Sequence, residues 1–106
     1  MTISERYRDL VQTLEQQADD FYTMLPEEAT KPLHFVDRAA EELLEWVEGV
    51  GEIPRNQLET KLSPVLLKAH GDLDRARVQL EQSEHEAVAG MIWELEQLIY
   101  RLLNDL

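Results

Sequence analysis

Small residues recur every seven positions through the C-terminal half of the chain, at Ala69, Ala76, Ser83 and Gly90, and leucines lead them by three at Leu66, Leu73 and Leu80. Steps that alternate three and four keep a stripe on one face of an α-helix, and small side chains on that stripe let a second backbone come close. The pattern therefore demands a helix packed against a helix, in the manner of a coiled coil. It carries no chemistry of its own.

The rest of the chain reads the same way. Thr2 and Glu5 have capping-box spacing, and a first helix follows with Ile3, Tyr7, Leu10, Leu14 and Phe21 on its apolar stripe, widened by Val11, Ala18, Tyr22 and Leu25. Pro26 ends it, and Pro26 to Pro32 forms a connector. Thr30 is the expected cap of a second helix, with Leu33, Val36, Ala40, Leu43, Val47 and Val50 inward and Glu41, Glu42, Glu45 and Glu48 outward. Gly49 and Gly51 are expected to stop it in the left-handed conformation. Pro54 suits the first turn of a third helix, bent at Ser63-Pro64 and running to about Asn104, with Gly71 and Ser83 (Glu86 three residues on) as alternative breaks. The expected fold is all-α: an antiparallel bundle or hairpin of three long helices, the third bent near Pro64, forming one helical domain over residues 1–106.

Twenty-two acidic residues against 10 basic ones give a net charge of −12, which repels polyanions, so nucleic acid and anionic membrane surfaces are poor direct partners. A basic protein is the partner such a surface would steer in, including as a mimic of nucleic acid. The apolar runs, such as Val65-Leu66-Leu67, fall far short of the roughly 20 residues of a membrane span. Met1 to Arg8 is charged and helix-patterned, without an apolar signal core, and cysteine is absent; together these lead to an expected cytoplasmic location.

Candidate chemistry is sparse. Glu41-Glu42-Leu43-Leu44-Glu45 has the glutamate spacing with which helical nucleotide pyrophosphohydrolases hold Mg²⁺, a hard cation that takes oxygen ligands. Those enzymes add a Glu-x-x-Asp on a later helix. No aspartate here has a glutamate three residues before it, and Glu81 with Glu84 is the nearest substitute. His70 with Asp74, and Glu81 with His85, each stand one turn apart, but two ligands do not make a metal site. His34 has only Asp37 near it. Ser4, Ser63 and Ser83 read as helix caps rather than nucleophiles. No catalytic, cofactor or metal residue is therefore expected, with Glu41, Glu42 and Glu45 as the metal-binding alternative.

Two stretches, Arg6-Tyr7-Arg8-Asp9-Leu10-Val11 and Gly51-Glu52-Ile53-Pro54-Arg55, resemble the helical N-terminal region of the bacterial YbeL-like zinc-ribbon family. The resemblance implies a bacterial cytoplasmic protein of uncharacterised role. The C-terminal cysteine ribbon of that family is missing, so no zinc function carries over, and Ile53-Pro54 stands where the family tends to have Leu-Thr.

From Ala87 to Leu106 apolar residues spread around most of the helix, through Val88, Met91, Ile92, Trp93, Leu95, Leu98, Ile99, Tyr100, Leu102 and Leu103. A helix so apolar needs neighbours on at least two sides, and in so short a chain a second subunit can supply one. The expected function is accordingly that of a non-enzymatic interaction or regulatory module, self-associating as a homodimer, with Ala69, Ala76, Leu80, Met91, Trp93 and Tyr100 as interface candidates. Trp46 is read as core or anchor.

Overall fold

A computed structural model describes all 106 residues, Met1–Leu106, and every regular element is helical. Four helices form: α1 (Ile3–Met24), α2 (Leu33–Leu44), α3 (Leu58–Gln82) and α4 (Glu86–Asn104). The expected third helix is thus two helices. The junction lies at Ser83–His85, where Glu84 adopts φ 66°, alone among the non-glycine residues in that region of backbone space. The His85 N–H donates to the Leu80 carbonyl (2.8 Å) and the Glu84 N–H to that of Glu81 (3.1 Å). This is a Schellman reversal with a glutamate where glycine usually sits. Ser83 does not cap α4; its hydroxyl donates back to the carbonyls of Gln79 and Leu80.

A left-handed L-residue carries a strain that glycine escapes, at the cost of more freedom lost on folding. Glu84→Gly is therefore expected to raise stability by about 0.5–1 kcal/mol, read as a higher urea midpoint with an unchanged slope. An unchanged or lower midpoint would refute the assigned turn.

Local chemistry explains the other boundaries. The Thr2 hydroxyl accepts from the Glu5 N–H at 3.2 Å and starts α1, and Pro26 ends it with Leu25 already extended. Thr30 does not cap α2, because its hydroxyl donates to the Glu27 carbonyl inside a 3-10 turn over Glu27–Ala29, leaving Pro32 at the cap. No glycine takes positive φ: Gly49 sits at −92°, and α2 runs out through short i→i+3 bonds such as Trp46 N–H to Leu43 C=O. Side chains from α1 finish that end instead. The Tyr7 hydroxyl donates to the Leu43 carbonyl (2.5 Å) and Arg8 Nε to that of Val47 (3.1 Å). Burial pushes the Tyr7 phenol up. α3 continues without interruption through the exposed Pro64.

The helices alternate in direction. Tyr7 meets Leu43, Arg38 meets Asp72, Lys68 meets Glu42 and Arg6 meets Asp105, so each neighbouring pair is antiparallel and α4 closes back on α1. One apolar cluster of 25 buried residues fills a body 44 × 21 × 20 Å across. Leu66, Ala69, Leu73, Ala76 and Leu80 all lie fully inside it. The sevenfold stripe goes no further: the reversal at Glu84 cuts it, Ser83 and Gly90 are exposed, and a Cβ placed on Gly90 meets nothing within 4 Å. No helix is long and apolar enough to cross a membrane.

Candidate functional site: a buried charge cluster and the outer face of α4

Two features of α4 stand apart from ordinary packing. The first is on its inner side. Ala89, Glu96 and Leu103 follow one another at intervals of seven, so a carboxylate stands in the middle of a stripe that faces α3. Glu96 is only 2 % exposed. An ionised carboxylate so placed loses its hydration and needs compensation from its neighbours.

Those neighbours come from α3. Arg77 donates from Nε (3.0 Å) and Nη2 (2.7 Å) to Asp74 and from Nη1 to Glu81 (2.8 Å), while its Nε lies 3.3 Å from Glu96 Oε2. His70 Nε2 is 3.7 Å from Glu96 Oε1. Burial, then a hydrogen bond to Asp74, raises the Glu96 carboxyl to about 8, against the opposing pull of Arg77. Burial also acts upward on Asp74, but the hydrogen bonds from Arg77 and Glu96 outweigh it and leave that carboxyl below its ordinary value. Burial thus favours the protonated form of Glu96, while Arg77 favours the charged form of Asp74 beside it. A second buried acid, Asp72, is 4 % exposed and tied by Arg38 at 3.1 Å to α2.

The second feature is outside. Trp93 is 51 % exposed, Leu98 39 % and Tyr100 55 %, although α4 is otherwise sunk into the core through Val88, Ile92, Leu95, Ile99 and Leu102. Two adjoining hollows of about 300 and 330 Å³ run between α1 and α4 and share Leu98 and Arg101. Gln17 lines the first from the α1 side, and its Oε1 is buried with no donor in the chain. Glu94 and Arg101 also line it, both exposed.

The interface candidates divide between these settings. Ala69, Ala76 and Leu80 are fully buried among this chain's own helices, Met91 packs partly against the core, and Trp93 and Tyr100 stand outward. Trp46 also packs against the core. The glutamates of α2 are not gathered into a carboxylate cage. Glu42 is bonded by Lys68 (2.5 Å), Glu41 is exposed, and Glu45 lies past the last residue of the helix. Nowhere do three histidine, aspartate or glutamate side chains group as they would to hold a metal.

Of the histidine pairs, His70 and Asp74 join the buried cluster, whereas Glu81 is taken by Arg77 rather than by His85. His34 Nδ1 is 2.7 Å from the Lys31 carbonyl. Glu96 and Asp72 are absent from the sequence-derived candidates. Their signal was positional, Glu96 between Ala89 and Leu103, Asp72 between Ala69 and Ala76. No family model, curated protein or solved structure matches this chain.

Proposed function

We propose that the protein is a non-enzymatic helical interaction module that self-associates, in its simplest form as a homodimer. The observation that carries this reading is the exposure of Trp93, Leu98 and Tyr100 along one helix, three of the nine large apolar side chains that the bundle leaves exposed. Aromatics set on a stable helix make economical anchors, since they offer large area for few rotatable bonds. The buried cluster behind them ties α4 to α3 and holds that face in place. Closed twofold symmetry is the commonest way for identical chains to cover such a face.

A Mg²⁺-dependent hydrolase has less support, because Lys68 occupies the position facing Glu42 where further carboxylates would be required. A relation to the YbeL-like family rests on the sequence resemblance of the two stretches alone. Light scattering at high micromolar concentration is expected to return a mass near twice 12.3 kDa. A particle of 12.3 kDa throughout would overturn self-association.

A further inference from the structure

We propose that two copies of this chain pair through antiparallel α4 helices about a twofold axis passing between Gln97 and Leu98, with Glu94 of each opposite the partner's Arg101. The inference rests on the self-association reading and supplies its geometry. Glu94 and Arg101 are seven residues apart and so lie on one face of the helix. They carry opposite charge, and both are exposed. Neither is spent within the chain, whose salt bridges engage other side chains throughout.

Reversing a second helix against such a face places each acid against a base, twice, which is the self-complementarity that a twofold interface needs. The remaining features of the face fit the same axis. Trp93 and Tyr100 lie on one flank of the Glu94–Arg101 line, and a perpendicular twofold keeps that flank on the same side in both copies, so Trp93 approaches the partner's Tyr100. Leu98, on the other flank, falls beside its own copy near the axis. Gly90 sits exposed on the same side of α4, and the open space beyond it leaves room for a second backbone.

Charge reversal tests the geometry separately from the net charge of −12. Glu94→Arg makes the chain less acidic and Arg101→Glu makes it more so, so general repulsion between acidic chains would strengthen association in the first and weaken it in the second. Paired across the twofold, both single variants instead set like charges opposite each other, and both dissociation constants should rise by about tenfold or more. The double variant, E94R with R101E, restores opposite charges and should recover wild-type association. An equimolar mixture of the two single variants should form a mixed dimer in preference to either alone, resolved by native mass spectrometry.

Helical circular dichroism is expected to be unchanged in all of them, because both side chains are exposed. Dimers that tolerate both single reversals, or a double variant that fails to recover, would overturn this geometry while leaving self-association standing. A wild-type monomer would end both.

Discussion

Glu96→Gln should abolish most of the fall in folding stability that the wild-type protein shows as pH rises from about 5 to about 8. The Glu96 carboxyl has a folded pKa of about 8 against an ordinary value of 4.5, so the native state binds this proton more tightly than the unfolded chain does. The stabilisation tied to that proton is complete below 4.5 and is lost as pH climbs through 8. One pKa unit corresponds to about 1.4 kcal/mol, which puts the loss on the order of 2–4 kcal/mol.

Glutamine keeps a donor where the protonated acid had one and has nothing to ionise. Below pH 5 the two proteins should therefore unfold at urea concentrations corresponding to within about 1 kcal/mol of each other, as an isosteric swap allows. At pH 8.5 and above the variant should be the more stable. Because His70, Arg77 and Asp74 face Glu96 in both proteins, the difference between the two pH curves isolates this one group. Parallel curves from pH 5 to 9 would show that Glu96 holds no proton in the folded state.

Arg77→Met is expected to cost about 2–3 kcal/mol at pH 7, placing it among the more damaging substitutions of a side chain that is not in the apolar core. Removing one partner of a buried charge pair is worse than never having had the pair, because the other charge stays behind. Here two carboxylates would be left, Asp74 and Glu81, beside the protonated Glu96 and with only His70 nearby. The half-exposed positions of Asp74 and Glu81 keep the cost below that of a fully buried pair.

Arg77 helps hold Asp74 below its ordinary carboxyl range, so this stabilisation is present above that range and is lost as pH falls through it. The penalty in Arg77→Met should accordingly shrink in acid. Combining it with Glu96→Gln should cost less than the sum of the two at pH 8, since the double variant has one fewer charge to leave unpaired. Additive penalties at every pH would mean that Arg77 and Glu96 do not interact.

Much of the helical content was legible because helical periodicity and its punctuation are local. Thr2 and Pro26 delimit α1, and the inward residues Leu33, Val36, Ala40 and Leu43 of α2 are those the periodicity selects. The break between α3 and α4 was legible only as an alternative, at Ser83, to one continuous helix. Helix periodicity persists on both sides of Ser83, and the reversal is made by Glu84 in a conformation that favours glycine, so the residue at the turn carries no sign of it. The same reversal explains why Ala69 and Ala76 went into the core and Gly90 did not, although all three belong to one repeat.

The charge cluster shows the division most plainly. The sequence by itself determined that Asp74, Arg77 and Glu81 share a face of one helix, because spacings of three and four are fixed by the 3.6-residue turn. It determined equally that α4 is too apolar to stand alone, and that Glu94 and Arg101 lie on one side of it. That Glu96 would be driven against Asp74 and Arg77, and hold a proton there, was decided only when α4 folded back along α3. Burial and the approach of charges from another helix are properties of the packed pair, and no periodicity within either strip of sequence contains them.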